Sequence, residues 1–301
     1  MAVYDLIIIG AGPAGLTAAI YAARYKLNFL LIGELVGGLA TEAHKVSNYP
    51  GVKDLSGIEL MNLFRTQAEA LGTTIEEASV QGIGKRKDKF VVKTANAVHE
   101  AKAVILALGL QHRKLNAQGE DEFLGKGVSY CATCDGAFYK NKNVVVVGGG
   151  NSAVSAAVML AKIAKKVYLV YRGDKLKAEP AWVEELSRFR NAEIVYNANV
   201  SKVSGKEFVE KIELDTGKTL DADGLFVEVG VVPSTILAKS LGVRLDDNGF
   251  ISVDNEMNTN AAGVFAAGDI TNGSGFKQIV IACGQGAIAA YSAYKFVAKN
   301  N

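Results

Sequence analysis

A strand, a glycine-rich turn and a helix occur twice in this chain of 301 residues, and nothing else in it constrains the fold as much. Residues 4–9 form an apolar run broken only by Asp5, as a strand buried on both faces requires. Gly10-Ala11-Gly12-Pro13-Ala14-Gly15 follows, residues 16–24 read as a helix and 28–32 as a second strand, closing a βαβ unit of ~30 residues. The pattern restarts with a strand at 143–147, a turn at Gly148-Gly149-Gly150, a helix at 151–164 and a strand at 166–171.

The first turn is spaced Gly10-x-Gly12-x-x-Gly15. In this device one glycine makes the tight turn, the next lets a pyrophosphate approach the backbone, and the third lets helix and strand pack closely. Ala14 lies within the motif, and Pro13 suits a helix start, where its missing N–H costs nothing. The second turn, Gly148-x-Gly150-x-x-Ala153, is the same device with alanine in third place, and Asn151 and Ser152 open its helix. Either turn could also form with no ligand. The acidic residue expected for the ribose of the first site is represented only by Glu34, which an exposed loop charge would equally explain. After the second site Arg172 stands where an NAD site would place a carboxylate, with Lys175 and Lys177 close by. Cations there suit a 2′-phosphate, although Asp174 shares the loop and a plain basic loop is the alternative.

The fold class that follows is α/β, with two Rossmann-like dinucleotide-binding domains, the second inserted into the first. Between the repeats, residues 57–71 have helical spacing, 75–94 read as antiparallel strands and 103–108 as a buried strand that ends at Gly109. Later come a helix at 182–189, a hairpin at 206–221 with Asp215-Thr216-Gly217 at its tip, and a strand at 225–229. A strand at 261–267 leads through Gly268-Asp269 into an apolar helix at 278–297, too short a tail to be a domain of its own. Packed on the first unit, it gives a discontinuous domain of residues 1–114 and 245–301 around an insert of 115–244, with crossings near 111–117 and 241–247. Asp269, at a strand's C-terminal edge, can accept a hydrogen bond from a ligand hydroxyl or serve only as a turn carboxylate.

Composition excludes other classes. A net charge of +2 gives no reason to invoke nucleic acid or an anionic membrane. No apolar run approaches the ~20 residues of a membrane span. Met1-Ala2-Val3 leads directly into a strand without a basic stretch or cleavage site, so no signal peptide is expected. The 3 cysteines do not make a disulfide scaffold, and the scattered His44, His99 and His112 offer no partner set for zinc, so no metal is expected. Cys131 and Cys134, in Cys131-Ala132-Thr133-Cys134-Asp135-Gly136, are too close to serve mainly as a staple. Closing so short a ring is worth about 2 kcal/mol, against about 4.7 kcal/mol for a 100-residue loop. In a reducing compartment a CxxC pair reads as redox-active. Asp135 is placed to move the proton when the pair opens, or to cap a helix, or both. Cys283 reads as a small buried apolar residue.

Taken together these residues resemble the low-molecular-weight thioredoxin reductases, over nearly the whole chain. The most specific stretch is Gly127-Val128-Ser129-Tyr130-Cys131-Ala132-Thr133-Cys134-Asp135-Gly136 followed by the second glycine turn. Val264-Phe265-Ala266-Ala267-Gly268-Asp269 is a second, and Gly37-Gly38, Asn48-Tyr49-Pro50-Gly51 and Lys277-Gln278 match flavin-contacting segments. The resemblance implies FAD held by Gly10, Gly12, Pro13, Ala14, Gly15, Glu34, Gly37, Gly38, Leu39, Asn48, Gly109, Gly268, Asp269, Lys277, Gln278 and Ile279. It implies NADPH on Gly148, Gly150, Asn151, Ser152, Ala153, Arg172 and Lys177. It further implies a cytoplasmic homodimer whose inserted domain swings to bring first nicotinamide, then the disulfide, to the flavin. Cys131 and Cys134 would be the redox pair, Cys134 nearer the flavin and Asp135 the acid–base residue, and the partner would be thioredoxin or a glutaredoxin-like protein. Departures cluster on the nucleotide side: Ser155-Ala156 replaces two glutamates, Tyr171-Arg172-Gly173 replaces His-Arg-Arg, and Lys177 replaces an arginine. On the flavin side Leu39 replaces a glutamine. Lysine cannot grip a phosphate in a planar fork as arginine does, so NADH, reduced ferredoxin or another low-potential carrier stands as the alternative donor. A flavin reductase or ferredoxin-NADP reductase of the same fold would not need the cysteine pair, and a non-catalytic nucleotide-binding module would carry no flavin.

Overall fold

The computed structural model describes residues 3–43, 46 and 48–300, so His44 and the first two residues lie outside it. The chain divides into two compact units, Met1–Gln111 with Pro233–Asn301, and His112–Val232.

The first unit is built on the strand Val3–Ile9, which pairs in parallel with Phe29–Ile32 on one side and with Val98–Leu106 on the other. Side chains alternate across this strand: Leu6 and Ile8 enter the core on one face, Ile7 and Ile9 that on the other. The Val98–Leu106 strand serves two neighbours. Its first part pairs antiparallel with Lys89–Thr94, itself in a hairpin with Val80–Arg86, and its last three residues pair in parallel with Val264–Ala266. The helices Pro13–Arg24 and Ile279–Lys299 cover one face and can do so because Gly286 carries no side chain. A Cβ there would collide with the Ala14 carbonyl. Residues 75–94 are not wholly antiparallel as expected, since Ile75–Glu76 adds in parallel to the Phe29–Ile32 edge.

The second unit repeats the plan. Its sheet is all parallel, in the order Ala192–Tyr196, Lys166–Tyr171, Asn143–Val147, Gly224–Val227 and Val128–Ser129. Val144 and Val146 face the helix Asn151–Ala161, while Val145 and Val147 face a second core closed by the antiparallel strands Val200–Gly205, Val209–Leu214 and Thr219–Asp221. The hairpin around Asp215-Thr216-Gly217 lies where the sequence puts it. Its third strand, Val200–Gly205, carries too little alternation to be seen in advance.

The chain returns to the first unit at Val232–Pro233, earlier than the expected return near 241–247. The reason is the short helix Ile236–Ser240. Leu237, Ala238 and Leu241 join the first unit's core, and the Ser240 hydroxyl donates to the Ile83 carbonyl at 3.0 Å.

A flavin-type cleft and a disulfide beside a second glycine turn

In the first unit the backbone turns sharply at Gly10, whose φ of 109° and closeness to the Ala107 carbonyl admit no side chain. Gly15 packs on the Gly10 carbonyl with the same consequence. Gly12 then caps the helix Pro13–Arg24 in extended conformation, and no side chain hydrogen-bonds its first N–H groups. A helix elsewhere in the unit, Gly57–Ala70, is closed differently. Ser56 accepts from the Glu59 N–H at 3.2 Å, and Glu59 accepts from the Ser56 N–H at 2.8 Å. The turn helix thus leaves its donors and the positive end of its dipole for a ligand anion.

Those donors open onto a cleft of about 810 Å³, within the range of small-molecule and cofactor sites. Gly10, Gly12, Pro13, Ala14, Glu34, Gly38, Leu39, Gly109, Gly268, Asp269, Lys277, Gln278 and Ile279 all line it. Gly15 and Gly37 stand behind the lining. Gly15 is buried under the turn, while the Gly37 N–H donates to the Ala11 carbonyl at 2.8 Å and holds the next loop on the turn. Asn48 is joined to the site from 230 residues away, its amide donating to Gln278 Oε1 at 2.8 Å. Burial raises the Asp269 carboxyl above the usual carboxylate range, and nearby Lys277 partly offsets this. Burial likewise lowers the Lys277 ammonium, whose Nζ donates to the Thr271 carbonyl at 2.6 Å and stands 4.6 Å from the Phe250 ring centroid.

Sequence reasoning missed Gln285. It is buried, and its Oε1 accepts from the Gly268 N–H at 2.8 Å and the Thr271 hydroxyl at 3.2 Å, so it fixes the loop that carries Asp269. A glutamine inside an otherwise apolar helix was the available signal. The segment Ala78-Ser79-Val80-Gln81 also lines the cleft and had no signal.

In the second unit Cys131 and Cys134 are joined in a disulfide with Cα atoms 5.3 Å apart. Cys131 is half-buried and Cys134 exposed. The loop is held from three sides. The Cys131 N–H donates to the buried Ser129 hydroxyl at 3.0 Å, and the Cys134 N–H reaches Cys131 Sγ at 3.0 Å. The Tyr130 hydroxyl donates to buried Glu120 at 2.6 Å, and burial and that carboxylate push its pKa well up. Glu120 also accepts from the N–H groups of Leu115 and Asn116, so the strand before Cys131 is anchored to the crossing segment. Asp135 is the last residue of the short helix Ala132–Asp135, whose N-cap is Cys131. Of its two expected roles the cap is not realised, because its side chain makes no capping hydrogen bond. It lines a hollow of about 420 Å³ with Phe138, whose ring is 74% exposed.

The second glycine turn repeats the first. Gly150 caps the helix Asn151–Ala161 in extended conformation with no side-chain cap, and a Cβ on it would meet open space. Gly148 and Ala153 are buried in the turn, and Asn151 and Ser152 are exposed at the helix start. The following loop is tied to it: Lys177 N–H donates to the Gly149 carbonyl at 2.7 Å, and Asn151 exchanges two hydrogen bonds with Glu179. Arg172 and Lys177 are exposed in that loop. Cys283, buried in the first unit, sits 3.9 Å from the Pro13 carbonyl.

Two dinucleotide folds and a vicinal disulfide are the parts of a disulfide oxidoreductase fed by a nucleotide. The family model described as pyridine nucleotide-disulphide oxidoreductase matches residues 4–286. A thioredoxin reductase of Listeria monocytogenes is 40% identical over 98% of this chain and 94% of its own length. A thioredoxin reductase structure from Lactococcus lactis, in what is termed the FR conformation, superposes with a TM-score of 0.86 at 36% identity, covering 98% of this chain and 99% of that one. One from T. acidophilum gives 0.83 at 40% identity over 97% and 98%. The chain belongs to the pyridine nucleotide-disulphide oxidoreductases and, within them, to the low-molecular-weight thioredoxin reductases. Membership implies FAD and a pyridine nucleotide as cofactors. The uncapped helix starts, the open space over Gly150, the absence of any close contact over Gly12, and the cleft fit both.

Proposed function

We propose that this protein is a flavin-dependent thioredoxin-disulfide reductase that draws its electrons from NADPH and carries them through Cys131 and Cys134. The observation that carries the reading is the Cys131–Cys134 disulfide, reachable at the exposed Cys134, built into the same unit as a nucleotide turn and accompanied by a flavin-sized cleft in the other. Relatives at 40% identity over nearly the whole chain are thioredoxin reductases, which supports the choice of partner.

FAD would be held by the residues lining the first cleft, together with Gly15, Gly37 and Asn48, which shape it. Bound there, it would supply the two-electron exchange between nicotinamide and disulfide. NADPH would be held by the turn of Gly148, Gly150, Asn151, Ser152 and Ala153, with Arg172 and Lys177 supplying cations for its phosphates. Once reduced, one thiolate of the Cys131–Cys134 pair attacks a sulfur of thioredoxin's disulfide and expels the other as thiolate, forming a mixed disulfide. The second thiolate then attacks its neighbour's sulfur, restoring the Cys131–Cys134 bond and releasing thioredoxin with both thiols. Asp135 gives and takes the protons of these thiols. The Ser129 and Tyr130 hydrogen bonds anchor the backbone at Cys131 without involving the S–S bond. The transfer runs downhill if the donor lies below the potential of thioredoxin, about −270 mV.

The exposed Phe138 ring, four residues beyond Cys134, gives the partner an aromatic anchor at the dithiol. A dithiol kept reduced by a nicotinamide nucleotide belongs in a reducing compartment, hence the cytoplasm. Among the described residues no helix is long and apolar enough to cross a membrane. We assign a homodimer on family likeness. The exposed apolar residues Tyr21, Ile288, Tyr291 and Tyr294 on the helices Pro13–Arg24 and Ile279–Lys299 offer it a surface, and light scattering of the purified protein checks it.

The decisive variant is Cys134→Ser. It should keep its yellow flavin and abolish thioredoxin reduction. A C134S enzyme that still turned over thioredoxin would refute the assignment.

A further inference from the structure

Tyr171 closes the Lys166–Tyr171 strand at the point where the loop facing the nucleotide begins, and its ring is lodged between two glycines. A Cβ on Gly149 would run into one edge of the ring. A Cβ on Gly173 would stand 2.7 Å from its Cε1 and 3.2 Å from its hydroxyl oxygen. Neither position can carry a side chain unless the ring leaves. The surrounding backbone is fixed. The Gly173 carbonyl accepts from the Asn197 N–H at 3.1 Å, the Tyr171 carbonyl from the Ala198 N–H at 3.3 Å, and the Lys177 N–H holds the Gly149 carbonyl. The charges around the ring are mixed. Arg172, Lys175 and Lys177 are exposed cations, Asp174 is an exposed carboxylate among them, and Glu179 is hydrogen-bonded to Asn151 at the helix start.

We propose that Tyr171 sets this enzyme's discrimination between pyridine nucleotides with and without a 2′-phosphate, and that it keeps that discrimination small. By filling the space beside residue 173 it excludes a second guanidinium from the phosphate site. A dianionic phosphate gains most from paired planar forks. Arg172 remains as the one fork, with two flexible lysines and a carboxylate for neighbours. Tyr171 and Gly173 are therefore a matched pair, and changing one alone accomplishes little. The inference rests on reading the second unit as the pyridine-nucleotide site.

The test is calorimetric titration of the oxidised holoenzyme with NADP⁺ and with NAD⁺, which requires no turnover. The wild type and Tyr171→Phe should both favour NADP⁺ by no more than about ten-fold, the worth of one charge-assisted contact. Gly173→Arg alone should leave that ratio within a few-fold, because the ring denies the new side chain its place. Combining Tyr171→Ala with Gly173→Arg should raise the ratio by about ten-fold or more. If that double variant fails to fold, Tyr171→Ala with Gly173→Lys should raise it in the same direction by less. A wild-type ratio above about a hundred-fold, a gain from Gly173→Arg alone equal to that of the double variant, or no gain from either double variant overturns the proposal. Binding of neither nucleotide by any variant overturns the nucleotide-site reading as well, so the two failures are told apart.

Discussion

The two glycine turns are one local solution used twice, with different surroundings. In both, an extended glycine caps an uncapped helix and leaves its N–H groups and dipole for an anion. Around the first, Asp269 and Lys277–Ile279 come from far along the chain to line a cleft, and Asn48 braces Gln278 from behind. Around the second, the neighbouring loop lies on the turn itself, with Tyr171 over Gly149 and Glu179 on Asn151. Backbone geometry therefore provides a pyrophosphate seat, while the side chains that follow the second strand decide how tightly and how selectively it is used.

Substitutions at the glycines separate the two roles most sharply. Gly15→Ala places a methyl against the Gly10 carbonyl. It should cost roughly 3 kcal/mol of stability and most of the bound flavin, read by thermal unfolding and by absorbance. Gly150→Ala meets open space. It should change stability by less than about 1 kcal/mol and leave flavin content alone, yet weaken NADP⁺ binding about ten-fold by crowding the pyrophosphate. Equal effects of the two on flavin content would erase the distinction between the sites.

A smaller effect is expected at Gln285, the internal brace of the first cleft. Gln285→Leu strands the Gly268 N–H and should cost about 1–3 kcal/mol, with weaker flavin retention. No loss would mean that the loop bearing Asp269 is held by other means.

The smallest effect tests the electrostatics of the cleft. Asp269 has its carboxyl pKa raised by burial, so in the flavin-free protein the folded state holds this proton more tightly than the unfolded state. Stability is then lost as pH rises from the unfolded carboxylate value of 3.8 through the higher folded one. Asp269→Asn should raise the thermal midpoint of the flavin-free protein slightly at neutral pH, and the gain should vanish below the unfolded value. A gain that persists there would point to a cause other than the buried charge.

Much of this was legible in the sequence, because the governing patterns are local. The apolar runs, the two glycine turns and the CxxC each occupy a few consecutive residues, and the structure forms the expected strands and helices at them. What escaped depends on partners far along the chain. The helix Ile236–Ser240 gives no local sign of which unit its Leu237 and Ala238 will join, so the return crossing was placed too late. Ile75–Glu76 is too short to reveal a parallel edge. Tyr171 and Gly173 stand out in the sequence as departures from the family pattern, but the wedging of the ring between Gly149 and Gly173 is visible only in three dimensions. Glu120 carries no signal in the sequence, yet it is buried and holds three donors. Such roles belong to tertiary contact, and no periodicity encodes them.

Whether electrons leave the flavin through Cys131 and Cys134 is read by an anaerobic reductive titration of the purified holoenzyme, followed by flavin absorbance and by labelling of free thiols. The wild type should consume a pair of electrons beyond the flavin's own pair, with new thiols appearing at Cys131 and Cys134. The Cys131→Ser, Cys134→Ser double variant should consume the flavin's pair alone. A wild type whose flavin bleaches while both cysteines stay joined would contradict that route.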